Sequence, residues 1–245
     1  MRLDLYLFEN GYAKSRTEAK NLITDGAVKV FGTVVTKPSF DVDSDSKIEI
    51  IKETSKYVSR GGYKLEGALK AFDVSVSDRL CIDVGASSGG FTDCLLQNGA
   101  KHVIAVDSGS GQIADFLRNS DSVTVLENFN ARYMKPSDFE FTPSLAVMDV
   151  SFISATYIIP AVYDVLSDNS DFICLIKPQF EVGKASLGKG GIVKDKKALD
   201  FAKSKVSDFA KEIGFKHIKT IESPIKGGDG NTEYLAYFRK EMKNE

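Results

Sequence analysis

Apolar positions along the chain change their spacing near residue 54, and the change divides the sequence in two. In the first stretch Leu3, Leu5, Leu7 and Phe8 suit a short helix. Ser15 is a plausible N-cap for a second helix, with Glu18 three residues on as in a capping box. Ala19, Leu22 and Ile23 form its apolar face, and Gly26 closes it. Ala27–Val30 and Val34-Val35 then flank Phe31-Gly32-Thr33, a hairpin signal, and Ile48, Ile50 and Ile51 suggest another strand. The acidic run from Asp41 to Asp45 reads as a solvated loop. Residues 1–53 are thus expected to be a small α+β unit and residues 54–62, with two glycines among polar residues, a linker.

Residues 63–245 show a different rhythm. Leu80–Gly85, His102–Asp107, Val123–Leu126, Leu145–Asp149 and Phe172–Lys177 are short apolar runs. Helix-length segments separate most of them, including Phe91–Gln97, Ala155–Leu166 and Lys196–Ile213. This alternation predicts an α/β fold with a mostly parallel sheet. His217–Ile221 and Tyr234–Phe238 are joined by a glycine-rich loop without a helix, which favours an antiparallel pair at the sheet edge.

Composition narrows the picture. Apolar residues make up 42% of 245, enough for packed cores, and the net charge of -2 means that any basic surface is local. Cys81, Cys94 and Cys174 are far apart in apolar contexts and read as buried thiols in a reducing compartment. His102 and His217 are distant from each other and from the cysteines, so no zinc site is expected. The N-terminus has no apolar leader and no run is long enough to span a bilayer, which predicts a soluble, cytoplasmic protein.

The stretch Asp83-Val84-Gly85-Ala86-Ser87-Ser88-Gly89-Gly90-Phe91 carries the first chemical signal. An apolar strand runs into small residues and then a helix, at the sheet edge where open α/β folds bind ligands. Asp107 ends the next strand, where an acid can accept hydrogen bonds from ribose hydroxyls. The spacing is GxxxGG rather than GxGxxG, and no Gly-Lys-Ser/Thr follows, so it favours S-adenosylmethionine over a dinucleotide or a nucleoside triphosphate. Further charges close other elements: Lys64 at a helix start, Asp149 and Lys177 at strand ends, and Glu233 at the head of the last strand. Taken alone, Asp149 and Lys177 could equally form a structural salt bridge.

Together these four positions resemble the Lys-Asp-Lys-Glu tetrad of FtsJ-like ribose 2′-O-methyltransferases. Ser59-Arg60-Gly61-Gly62-Tyr63-Lys64-Leu65, the glycine loop, Leu175-Ile176-Lys177-Pro178-Gln179-Phe180-Glu181, Gly190–Asp195 and Ser223–Gly227 are similar to the TlyA branch, bacterial rRNA cytidine 2′-O-methyltransferases. The first unit resembles a ribosomal S-four-type RNA-binding domain through Arg2-Leu3-Asp4, Ser15-Arg16, Ala19, Gly26, Val28 and Gly32. The chain departs from the pattern at Ser88, where FtsJ-like loops carry proline. It departs also at Phe31, where asparagine is common, and at Ser55–Val58, which lacks a tryptophan found in some relatives.

The resemblance implies a Rossmann-like class I methyltransferase sheet in residues 63–245 and S-adenosylmethionine as cofactor, with no metal. It implies Lys177 as general base toward a ribose hydroxyl, Asp149 orienting it, Lys64 as a neighbouring positive charge, and Glu233 holding Lys64 or the ribose. An amine in such a role needs desolvation or a nearby cation to lower its pKa from about 10.4. Asp83, Gly85, Gly89, Phe91 and Asp107 would hold the cofactor. Asn130 would contact its adenine side, with Glu127 and Asn128 as alternatives. Arg2, Lys14, Arg16, Lys20 and Lys29 would meet rRNA phosphates within a ribosomal subunit. Because both chain ends are short, large-subunit rRNA is the expected target, with small-subunit rRNA within the family's range. Two other readings stay open: an inactive RNA-binding or ribosome-assembly protein, and a haemolysin-like cytolytic protein, a label that TlyA-like proteins carry.

Overall fold

The computed structural model describes residues 1–13, 15–24, 26–51 and 56–242. The chain divides into two compact units, Met1–Lys56 and Tyr57–Glu245.

The first unit holds helices α1 (Leu3–Glu9) and α2 (Arg16–Thr24) and strands β1 (Val28–Val30), β2 (Thr33–Val34) and β3 (Ile48–Ile50). Leu3, Leu7, Ala19, Ile23 and Val28 are fully buried against one another. The Ser15 hydroxyl accepts from the Glu18 amide at 3.1 Å, capping α2 as its sequence predicts. β1 lies centrally, antiparallel to both β2 and β3. Phe31 and Gly32 turn the hairpin at φ of 50° and 76°, the left-handed pair that a two-residue hairpin loop requires.

In the second unit the elements are α3 (Gly61–Phe72), β4 (Leu80–Val84), α4 (Gly90–Gln97), β5 (His102–Val106), α5 (Asp115–Arg118), β6 (Val123–Leu126), β7 (Leu145–Met148), α6 (Ile159–Val165), β8 (Ser170–Ile176), α7 (Pro178–Glu181), α8 (Lys196–Ile213), β9 (Lys216–Glu222) and β10 (Tyr234–Lys240). They form a seven-stranded sheet in the order β6-β5-β4-β7-β8-β10-β9. Strands β4 to β8 are parallel, and β10 runs antiparallel to both β8 and β9. β7 and β8 are buried along their whole length, as their continuous apolar runs require of strands covered on both faces. The chain reverses its direction of winding between β4 and β7, so the carboxyl ends of these strands open a crevice there. The final hairpin is antiparallel as expected, but only β9 is an edge: β10 inserts between β8 and β9.

Residues 57–62, read from their polarity as linker, belong to the second unit. The Tyr57 ring is buried, and a Cβ on Gly62 would meet its Cγ at 2.3 Å. The glycine serves close packing here, and Gly61 and Gly62 already form the first turn of α3. Of the rest of that linker, Lys56 closes the first unit and residues 54 and 55 lie outside the described residues. The three cysteines are buried in the sheet and α4. Among the described residues no helix is long and apolar enough to cross a membrane.

Candidate active site

A cavity of about 480 Å³ opens at the carboxyl edge of the parallel strands, lined by Gly85, Ser87, Asp107, Asn130, Asp149 and Phe152 among others. Gly85 sits at φ +86°, and a Cβ there would stand 2.3 Å from the Asp149 carbonyl oxygen. Only glycine lets the loop after β4 lie so close to the end of β7. The Asp149 amide in turn donates to the Val84 carbonyl at 2.9 Å, which pins the start of the β7 loop to β4. Asp107 is fixed by two backbone donors, Gly109 N at 2.7 Å and Ser87 N at 2.8 Å, so its carboxylate is held at the cavity wall.

Asp83 is fully buried in β4. One of its oxygens accepts from the Thr92 hydroxyl at 2.7 Å, and the other, Oδ1, has no hydrogen-bond partner among the described residues. Burial foremost, opposed by hydrogen bonding from Thr92 and helped by the nearby Asp149 and Asp107 carboxylates, raises this carboxyl to about 7. Three acids thus crowd one end of the sheet, a setting that favours a cationic ligand.

Two ion pairs stand at the adjoining strand ends. Lys177 Nζ lies 2.5 Å from Asp149 Oδ1 and donates to Ser151 Oγ at 2.7 Å. Lys64, in the first turns of α3, lies 2.6 Å from Glu233 Oε2, with side-chain exposures of only 11% and 3%. Antiparallel pairing of Ile176 with Tyr234 makes Lys177 and Glu233 the next positions beyond the last pair of the β8–β10 ladder. Strand register therefore brings together charges that lie far apart along the chain. Phe152, beside Asp149, is 91% exposed at a φ of 64°, with its ring 5.2 Å from that of Phe180.

A model of the FtsJ-like methyltransferases matches residues 57–240, and one of the S4 domain matches residues 1–48. The 16S/23S rRNA (cytidine-2'-O)-methyltransferase TlyA of Mycobacterium tuberculosis is 41% identical over 97% of this chain and 89% of its own. The chain belongs to the TlyA branch of the FtsJ-like methyltransferase family. Hemolysin A of Brachyspira hyodysenteriae is 44% identical over 97% of this chain and 99% of its own, so relatives carry both names. A solved structure described as a candidate hemolysin, from Streptococcus thermophilus, superposes with a TM-score of 0.78 at 42% identity, covering 98% of this chain and 88% of that one.

Within this FtsJ-like unit three expected cofactor residues are not among those lining the cavity: Asp83, fully buried behind it in β4, and Gly89 and Phe91. Gly89, at φ +93°, faces Leu117 of α5, which a Cβ would meet at 2.3 Å. Phe91 is buried with Tyr57 and Leu65 in the core under α3. Small and aromatic residues there serve helix packing. Asn130 does line the cavity, while Glu127 is engaged by Arg118 at 2.7 Å and by the Gln112 amide.

In the S4 unit the surprise is Asp4. It is fully buried and receives Arg2 at 2.8 Å and Arg16 at 3.1 Å, and the Arg2 hydrogen bond foremost, against the cost of burial, holds its carboxyl down at about 2. Both arginine side chains remain about half exposed, 48% and 50%, so the acid sets their direction and leaves their outer faces open. Lys20 is exposed and Lys29 half-buried; Lys14 lies outside the described residues. Sequence reading assigned no role to Phe152, Ser151 or Glu181. An aromatic directly after Asp149-Val150-Ser151, in a loop with no core to fill, was the available signal for the first.

Proposed function

We propose that this chain methylates a ribose 2′-OH of rRNA, with a cytidine of the large subunit as its first target and small-subunit rRNA as a second candidate. The observation that carries this reading is the Lys177–Asp149 pair at the wall of a cavity whose glycine, Gly85, packs on the Asp149 carbonyl. Family membership supports the transferase class and the relatives' substrate supports rRNA.

The residues present fit S-adenosylmethionine. A cavity of about 480 Å³ is of small-ligand size. Asp107 is held ready for ribose hydroxyls, Asn130 for the adenine side, and the partnerless Oδ1 of Asp83 lies in a cluster of acids suited to a cation. When bound, this cofactor supplies an electrophilic methyl group on a sulfonium.

Lys177 Nζ, acting as the neutral amine after its own proton has left to solvent, takes the proton of the ribose hydroxyl. Asp149 and Ser151 aim that nitrogen, and Lys64, held by Glu233, bounds the ribose side. No bond is made to the protein, so most of the acceleration rests on orienting the hydroxyl. Phe152, presenting an open ring at the cavity mouth, offers a stacking surface for the target base, which a folded RNA must turn outward. Arg2, Arg16, Lys20 and Lys29, with Lys14, supply phosphate contacts from the S4 unit, which give affinity without choosing sequence. A reaction on ribosomal subunits sets the work in the cytoplasm.

Tritiated methyl transfer to purified large and small subunits, followed by mapping of the modified nucleotide, tests the proposal. Lys177→Ala should abolish transfer and leave cofactor binding in place; full activity in that variant would refute the base assignment.

A further inference from the structure

Lys177 needs Asp149 and Ser151 in place, yet the sheet does not put them there. The β7–β8 ladder ends with Met148 paired to Cys174. Asp149 lies one residue beyond that pair and Lys177 three. Residues 149–153 have no regular structure and include Phe152 in a left-handed conformation. Such a backbone keeps its shape only when its surroundings over-determine it. One end of the segment is tied by the Asp149 amide to Val84. The other end is tied by Glu181.

Glu181 closes α7, four residues after Lys177, and is 5% exposed. Its Oε1 accepts from the Ala155 amide at 2.8 Å, and its Oε2 accepts from the Ser154 hydroxyl at 2.5 Å. Lys205 of α8 stands 3.0 Å from Oε2 and donates to the Glu181 carbonyl at 2.9 Å. The acid is therefore buried, paired and bonded at both oxygens, although the proposed transfer makes no use of its charge. We infer that Glu181 is a positioning residue for methyl transfer: through Ser154 and Ala155 it clamps the segment carrying Asp149, Ser151 and Phe152 against Lys177. Lys205 neutralises the clamp so that it can be buried. This inference rests on the methyltransferase reading above.

A clamp of this kind acts on turnover far more than on cofactor affinity. In the full chain, Glu181→Ala should lower kcat on ribosomal subunits about 30- to 100-fold, the scale of a misplacement near 1 Å. S-adenosylmethionine affinity measured by calorimetry should fall far less, by no more than about fivefold, because the contacts assigned to the cofactor at Gly85, Asp107 and Asn130 follow β4, β5 and β6, outside the clamped segment that lines another part of the cavity. Glu181→Gln with Lys205→Met keeps an acceptor for Ala155 and a polar partner for Ser154 and leaves no unpaired ammonium. It should restore kcat to within about fivefold of wild type. If Glu181→Ala folds poorly, Ser154→Ala removes one arm alone and should cost kcat about fivefold at unchanged cofactor affinity. Wild-type kcat in a folded Glu181→Ala or Ser154→Ala protein overturns the inference, as does failure of the amide pair to recover turnover. Lys177→Ala run in parallel separates the two levels. If it is inactive while Glu181→Ala is not, only the clamp fails; if it is active, the base assignment fails.

Discussion

Replacing Glu233 by alanine should damage this protein twice, and the two injuries can be told apart. The Lys64–Glu233 pair has 11% and 3% of its side-chain surface exposed and a separation of 2.6 Å, so both charges have given up their hydration to each other. It belongs with buried pairs rather than surface pairs worth about 0–1 kcal/mol. Removing one partner strands an ammonium in a poorly hydrated site, at a cost of about 3–5 kcal/mol. For a unit of this size that is a fall of about 10 °C in the unfolding transition. Lys64→Met combined with Glu233→Gln removes the stranded charge along with its partner, and should recover stability to within about 1 kcal/mol of wild type. The double variant should nevertheless remain unable to methylate rRNA. Calorimetric unfolding of the full chain, read beside tritiated methyl incorporation, gives both quantities. A Glu233→Ala protein less than about 1 kcal/mol weaker would refute the buried-pair reasoning. A stable double variant with full activity would refute the place given to the pair beside the ribose.

Two further outcomes follow from the cavity. Gly85→Ala forces a side chain onto a left-handed backbone and into the Asp149 carbonyl, so it should cost about 2 kcal/mol or more and reduce transfer about 100-fold, checked by thermal unfolding and initial rates. Asp83, raised to about 7, keeps its proton in the folded state over a range where the unfolded chain has lost it. Its contribution to stability is complete below about 3.8 and is lost as pH rises through about 7. A cationic donor prefers the ionised form, so S-adenosylmethionine affinity should rise between pH 6 and 8, with proton release on binding, and Asp83→Asn should flatten that rise in calorimetry.

How much of this was legible depended on the distance over which each feature is decided. Local rules placed the Ser15 cap, the Phe31-Gly32 turn and the run of helix α8, because these depend on neighbours a few residues away. The glycine loop and Asp107 were visible from the strand–loop–helix pattern. What the pattern could not carry was register and packing. Nothing in the spacing of Tyr234–Phe238 says that β10 enters between β8 and β9, since pairing order is decided by contacts across the sheet. Gly62 and Gly89 look like flexible or ligand-facing glycines but exist to admit Tyr57 and Leu117. Asp4 looks like one surface acid among many until the fold buries it beneath two arginines.

The late insertion of β10 has a temporal meaning. Strands β4 to β8 can zip together as translation proceeds, but Lys64 waits for an acid synthesised 169 positions later. Until that strand docks, the exposed border of β8 has no neighbour and the lysine has no counter-ion. A half-made chain therefore lacks both that neighbour and that counter-ion, and the two arrive together with the closing strand.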